Sequence, residues 1–213
     1  MQKIKKRLFL TSSVNCVAFD IAKHINKKGL KLLFITTAAE VEEGDLQWLD
    51  DDRNALVKAG FKVTDYTITG KTDGQIKKDI DSVDIIYFCG GNTFYLLEKI
   101  QQSGCAKTIC DFVKNGKIYI GTSAGSIVAG PDIYPTYRLD NAKKAPDLKG
   151  YKGLGLVDFV IFPHWGNKFF KDLYLNRRLE HAYTTGNKII LLTNRQYVLV
   201  EGEMYKIIEV KKK

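Results

Sequence analysis

Short apolar runs alternate with longer stretches of helical periodicity from the start of the chain to about position 130, and this alternation constrains the fold more than any other feature. Residues 7–11, 30–36, 61–68, 83–89 and 117–121 read as strands. Between them, residues 14–28, 41–59, 75–80, 93–102 and 106–114 carry helical patterns, most of them closed by a glycine. The run Val83 to Cys89 is almost continuously apolar, as a strand buried on both faces must be. Strands alternating with helices imply βαβ units, hence a mostly parallel sheet with helices on both faces.

After Gly130 the pattern changes. Residues 131–155 hold prolines and glycines and read as a long loop, followed by a strand over 156–162, a helix over 168–185 and a strand over 188–192. The end, 197–200 and 204–210, reads as an antiparallel hairpin turning at Gly202. No repeat or linker divides the chain, so one α/β domain over 1–213 is expected, with ample length for a full core.

Charge excludes less than it suggests. The formal net charge is +9, but much of the excess sits in Lys3, Lys5, Lys6, Arg7 and Lys211 to Lys213. Charge crowded at chain ends is a solvated feature more often than a nucleic-acid surface, and no aromatic-basic interleaving accompanies it. The four cysteines form no Cys-x-x-Cys pair, and no histidine stands at metal-ligand spacing from them, so neither a metal nor an organic cofactor is expected. The apolar run Leu8-Phe9-Leu10 is too short for a signal-peptide core, and no later segment approaches a membrane span. A cytoplasmic protein with reduced thiols, no membrane and no nucleic-acid partner is the expectation, as a monomer or homodimer.

The chemistry is concentrated at Gly121-Thr122-Ser123-Ala124-Gly125. Gly-x-Ser-x-Gly is the pattern of a nucleophile elbow, a strand-to-helix turn so tight that a Cβ at the flanking positions would collide with backbone. With 18 glycines in 213 residues, chance would supply about 0.04 such matches. The context is right as well: Ile118-Tyr119-Ile120 before it is a strand, and Ser126 to Ala129 after it is helix-compatible. A second glycine turn, Cys89-Gly90-Gly91-Asn92-Thr93, ends the most apolar strand and opens a helix. Ligands gather at the carboxyl ends of parallel strands, so the two turns should share a crevice. There a backbone N–H of the paired glycines and that of Ala124 would form an oxyanion hole, with Asn92 or Thr93 capping the helix and Asn92 also able to face substrate. Cys89 reads as a small buried apolar residue.

A serine nucleophile needs a base, and there are three histidines. His24 and His181 fall within helical patterns. His164 directly follows Val160-Ile161-Phe162-Pro163, at a strand's carboxyl end, where a base belongs. Asp132, Asp140, Asp147 and Asp158 all lie between Ser123 and His164, and spacing does not choose among them as the orienting acid.

Taken together, Gly121 to Gly125, Gly90-Gly91-Asn92-Thr93-Phe94 with Leu96-Leu97, and Phe162-Pro163-His164 resemble the peptidase E (aspartyl dipeptidase) family, relatives of cyanophycinase, over nearly the whole chain. The resemblance implies a fold like that of class I glutamine amidotransferases, a Ser-Asp-His triad in that chain order (Ser123, Asp140 and His164), and oxyanion donors at the N–H groups of Gly91 and Ala124. It also implies an arginine for an acidic substrate side chain, with Arg177 or Arg178 the nearest candidates. The chain departs from the family at Thr122, where the bacterial dipeptidases carry an aromatic, at Ser126, where Ala is usual, and at Cys89 in the glycine run. The implied activity is hydrolysis of short peptides, dipeptides with an N-terminal Asp above all, through an acyl-enzyme. An esterase or amidase on the same triad, or a non-catalytic binding protein retaining the fold, are the alternatives.

Overall fold

The computed structural model describes residues 6–137 and 140–211. Most of the basic residues at the two ends, and Arg138 beside Asp140, lie outside the described residues. The strands are β1 (Arg7–Thr11), β2 (Lys31–Ile35), β3 (Lys62–Tyr66), β4 (Ile85–Phe88), β5 (Ile118–Thr122), β6 (Val160–Phe162), β7 (Ile189–Leu191), β8 (Gln196–Glu201) and β9 (Met204–Glu209). Seven form one sheet in the order β3-β2-β4-β5-β1-β8-β9, parallel from β3 to β1 and antiparallel at β8 and β9. The mostly parallel sheet and its closing hairpin are as the periodicity implied. β6 and β7 do not join it; they pair in parallel as a separate two-stranded sheet.

The helices α1 (Ala18–Ile25), α2 (Gln47–Lys58), α3 (Asp73–Asp81), α4 (Thr93–Ser103), α5 (Ala106–Lys114) and the short α6 (Ala124–Ile127) carry the chain between strands. Right-handed crossovers place such helices on both faces of a parallel sheet. Every residue of β4 and β5 is buried, which is why their sequence shows no alternation. Inside, Phe34 stacks on Tyr87 and Phe88 on Tyr119, at centroid separations of 4.6 and 5.4 Å.

Two helical patterns are shorter or less regular than the sequence suggested. The acidic stretch from Val41 becomes helical only at Gln47, because Gly44 takes φ +90° and Asp45 turns back to accept the Gln47 N–H. The stretch from Lys168 begins as a 3₁₀ turn, widens to a π-helix over Tyr174–Arg178 and ends as an α-helix over Leu179–Tyr183. Among its described residues Tyr174, Arg178 and Ala182, spaced i, i+4, i+8, are the buried ones.

One buried polar contact joins a helix to the sheet beneath the site. Asp52 on α2 is 3% exposed, accepts the Tyr87 hydroxyl at 2.8 Å and the Asn15 N–H at 3.1 Å, and burial lifts its carboxyl to about pKa 7. Because the folded value lies above the unfolded one near 3.8, the native state holds a proton that the unfolded chain releases, and stability falls as pH rises through that window. Asp52→Asn keeps the shape without the charge. Its melting temperature relative to the parent should therefore rise steadily from pH 4 to pH 7.5 and level off above; a difference independent of pH would show that Asp52 ionises without cost.

Candidate active site

The turn after β5 has the geometry its sequence demands. Ser123 lies at φ 48°, ψ −108°, a conformation L-residues adopt only under constraint. The constraint is backbone crowding. A Cβ on Gly121 would stand 2.6 Å from the Gly125 carbonyl oxygen, and one on Gly125 only 2.2 Å from that of Phe88. The turn is tied to both neighbouring strands, with the Ser123 N–H donating to Thr11 O at 3.1 Å and the Gly125 N–H to Cys89 O at 3.2 Å. Ser126, unusual for the motif, adds a hydroxyl 2.7 Å from Thr11 O and 2.8 Å from Gly121 O. Thr122 contacts Thr11 through paired hydroxyls at 2.8 Å.

His164 stands at the end of β6, also at positive φ (63°), and its Nε2 lies 3.1 Å from Ser123 Oγ. The imidazole stacks on Phe170 at 4.9 Å. Burial, with a further push from the Arg178 charge, holds its pKa below the usual 6.5, so near neutrality the ring is an uncharged acceptor for the serine proton. The other nitrogen, Nδ1, is 2.8 Å from Asn194 Oδ1. Asn194 sits on the turn between β7 and β8, closed by the Gln196 N–H to Thr193 O. Ser12, at the end of β1, donates to the same Oδ1 at 3.0 Å and accepts the His164 backbone N–H at 2.6 Å. Neither Asn194 nor Ser12 stood out in the sequence, since both are neutral and lie far from the motifs.

Asp140 is not the partner of His164 that the resemblance implied. Its Oδ2 accepts the Thr93 N–H at 2.9 Å, at the N-terminus of α4, where unpaired amides favour an anion. Asn92, expected as a substrate contact, is 2% exposed and fully engaged as the cap of α4: Oδ1 accepts the Tyr95 N–H at 3.0 Å and Nδ2 donates to Asn141 O at 3.1 Å. It anchors the loop that carries Asp140. Cys89 is wholly buried and its thiol pKa is pushed well up by that burial, which rules out a thiolate nucleophile.

A cavity of about 610 Å³ opens over these residues, lined by Ser123, His164, Asn194, Gly91 and Trp48 and by the carboxylates of Glu42, Asp52 and Asp140. Among the described residues no lysine or arginine lines it. The glycine turn at Gly90 is pressed against the serine, since a Cβ there would be 3.4 Å from Ser123 Cβ. Gly91, at φ 120°, could carry no side chain at all, for a Cβ would meet Ala38 O at 2.2 Å. Among the described residues the N–H groups of Gly91 and Ala124 have no hydrogen-bond acceptor. Arg178 is not in the cavity wall. It is fully buried behind it, stacked on Tyr174 at 4.6 Å and Phe162 at 5.6 Å, and none of its guanidinium nitrogens has a hydrogen-bond partner among the described residues. The Arg177 side chain lies outside the described ones.

Comparison with known proteins identifies the family. The model of peptidase family S51 matches residues 8–208. The chain belongs to that family. An uncharacterised peptidase of Listeria monocytogenes is 34% identical over 199 residues, 93% of this chain and 96% of its own length. One from Pasteurella multocida is 34% identical over 201 residues, 93% and 95% of the two chains. Peptidase E of Salmonella arizonae is 34% identical over 136 residues, 63% of this chain and 55% of its own. A crystal structure from Listeria monocytogenes, described as a candidate peptidase E, superposes with a TM-score of 0.89 at 32% identity, covering 97% of this chain and 100% of the other. A peptidase from an acI-B1 actinobacterium shares the fold at TM-score 0.72 and 18% identity, over 98% and 90% of the chains. This S51 chain is thus a serine-type peptidase, a hydrolase of peptides. Among its described residues no helix is long and apolar enough to cross a membrane, and no group of three or more His, Cys, Asp or Glu is placed to hold a metal ion.

If the elbow depends on bare backbone, Gly125→Ala should cost about 2 kcal/mol or more of stability, because the carbonyl it strikes belongs to a central strand. Gly74→Ala, a glycine in α3 with nothing within 4 Å of an added Cβ, should be neutral or gain up to about 1 kcal/mol. Urea denaturation of both variants decides; equal stabilities would refute the close approach at Gly125.

Proposed function

We propose that this S51 peptidase cleaves dipeptides and other short peptides at an N-terminal acidic residue, through an acyl-enzyme on Ser123. The observation that carries the reading is the contact of 3.1 Å between His164 Nε2 and Ser123 Oγ, made across two residues each held at positive φ. Such strain persists where the surroundings over-determine it, as at functional sites. In this reading Ser123 Oγ attacks the peptide carbonyl as His164 Nε2 takes its proton. The tetrahedral oxyanion is met by the N–H groups of Gly91 and Ala124. Collapse expels the amine, which receives that proton from His164. Water, deprotonated by the same nitrogen, then releases the acid and restores the serine.

Charge supports the substrate. A cavity with Glu42 and Asp140 in its wall, and no basic side chain among its described lining residues, suits the free ammonium of a peptide's first residue. Behind it, Arg178 is a buried cation whose nitrogens have no hydrogen-bond partner among the described residues, close enough to Asp140 and His164 to bias both. A buried, unsatisfied guanidinium is costly, and a carboxylate arriving from the cavity would form a bidentate pair with it. In the described state Arg178 does not line the cavity, so acidic selection requires the irregular segment at Lys168–Tyr183 to yield.

Ser123→Ala should lower turnover by about 10⁴- to 10⁶-fold with the melting temperature unchanged. A fluorophosphonate probe should label the parent at Ser123 and leave the variant unmarked; retained turnover or labelling elsewhere would exclude the serine. For specificity, kcat/KM should fall in the order Asp-Leu, Asn-Leu, Ala-Leu, and Arg178→Gln should level the three. Equal rates in the parent would discard acidic selection and leave the acyl-enzyme reading intact.

A further inference from the structure

Two phenylalanines in the cavity wall have no part in the reaction as proposed, and one of them stands almost free in solvent. We propose that Phe169 and Phe170 form the subsite for the residue that leaves, an apolar platform beside His164 that receives its side chain. Peptides with a large apolar residue after the scissile bond are then preferred. The proposal rests on the reading of Ser123 as nucleophile and His164 as its base, and it names the class of the substrate's second residue.

The backbone sets the platform. After His164 the chain turns at Gly166, which takes φ 80°, and the Asn167 N–H donates back to His164 O at 3.1 Å. Asn167 then caps the 3₁₀ turn Lys168–Phe170: its Oδ1 accepts the Phe169 N–H at 2.9 Å and its carbonyl the Phe170 N–H at 3.1 Å. The turn that follows the base therefore also places both rings. Phe170 lies nearly parallel to the imidazole, 14° between planes and 4.9 Å between centroids. Phe169 stands edge-on to Phe170 at 81° and 5.1 Å. Phe169 is 81% exposed, so hydrogen bonds of the turn, and not burial, hold it there. A lone exposed ring would need no explanation, but this one joins a second ring and lines the catalytic cavity, as a substrate contact does.

The direction of proton transfer decides which part of the substrate meets these rings. His164 Nε2 takes the serine proton and returns it to the departing amine, so the leaving nitrogen must come within hydrogen-bond reach of that atom. The side chain of the leaving residue begins two bonds from that nitrogen, and the apolar surface stacked on the imidazole is Phe170, with Phe169 beside it. The acyl half of the substrate points the other way. Its carbonyl oxygen turns to the N–H groups of Gly91 and Ala124, and Asp140 is bound two residues beyond Gly91, at Thr93. The cavity's other large apolar side chain, Trp48, belongs to that half, since a Cβ on Gly90 would stand 3.6 Å from its ring. On the histidine side the polar groups of Ser12, Asn167 and Asn194 are already engaged with His164 or with the turn. An apolar side chain can therefore cover the rings without leaving any of them unpaired.

The test is a ratio, which cancels whatever a substitution does to the base. In the parent, kcat/KM for Asp-Leu and Asp-Phe should exceed that for Asp-Gly by about tenfold or more. Phe169→Ala, which removes an exposed ring, should cut the Leu-to-Gly ratio by about 3- to 10-fold, and Phe169→Leu should retain most of it. Trp48→Ala should keep the parent's ratio even where it slows both substrates. The ratio of Ala-Leu to Ala-Gly should behave in the same way, so loss of acidic selection would not disturb the test. Binding to Ser123→Ala protein, followed by NMR titration with Asp-Leu and Asp-Gly, needs no turnover: Asp-Leu should bind more tightly, and Phe169→Ala in that background should narrow the gap. A parent that treats the Leu and Gly dipeptides alike overturns the proposal, as does a ratio unmoved by Phe169→Ala or abolished by Trp48→Ala. A Ser123 inert to fluorophosphonate with a binding gap that follows Phe169 removes the acyl-enzyme reading and leaves the subsite. A labelled Ser123 with no preference for the leaving residue removes the subsite alone.

Discussion

The packing of one glycine turn against the strand beside it governs the rest of the site. Gly125 sits where any Cβ would strike the Phe88 carbonyl, and that approach lets its N–H reach Cys89 O and draws the elbow down between β4 and β1. Once the turn is there, Ser123 has no relaxed conformation available and projects its hydroxyl above the carboxyl edge of the sheet. The neighbouring glycine turn follows from the same geometry: Gly90 lies against Ser123, and Gly91 has room for a backbone but no side chain under Ala38 O. Among the described residues the N–H groups of Gly91 and Ala124 are thereby left without an acceptor. Ser126 and Thr122, the departures from the family pattern, bind this arrangement to β1 through their hydroxyls.

The parts legible in the sequence are those that backbone packing dictates locally. Strands buried on both faces announce themselves as unbroken apolar runs, and Gly121 and Gly125 announce the elbow because nothing else fits. His164 was readable for a related reason: it ends a strand, and strand ends in a parallel sheet point to the ligand. The group behind the histidine was not readable. The family resemblance and the search for an acid favoured Asp140, yet that carboxylate is held by the Thr93 N–H at the start of α4. Asn194 lies thirty residues beyond His164 on a short turn, reaches it only because β7 pairs with β6, and has no charge to attract notice. Arg178 shows the same limit. The sequence supplied Arg177 and Arg178 without choosing between them, although the i, i+4, i+8 spacing of Tyr174, Arg178 and Ala182 is that of one helix face.

The two halves of the site also differ in how they are built. Ser123 and the glycine turns belong to the large sheet and its core. His164 belongs to the small sheet of β6 and β7, with its own apolar cluster of Val160, Phe162, Tyr174 and Ala182. The hydrogen bonds of Ser12 cross between them, from the end of β1 to His164 and Asn194. The small sheet also turns Ile161 and Ile190 into the large core, so the 3.1 Å between serine and histidine is held by that packing together with the Ser12 hydrogen bonds.

Arg178 couples the electrostatics of the two halves. Its charge lowers the basicity of His164, and it also lowers the pKa of Asp140, which burial otherwise raises. In the described state it therefore holds the base somewhat weak. On the reading proposed above, an acidic side chain that paired with Arg178 would cancel its field at the imidazole, and His164 would become a stronger base when the matching substrate is bound. A neutral side chain would leave the guanidinium unpaired and the base weak. Selection for an acidic residue would then act twice, once in binding and once in the proton transfer, through a single buried charge. That arrangement suits a histidine whose Nδ1 meets an amide: lacking a permanent anion at Nδ1, its basicity is open to adjustment by the substrate.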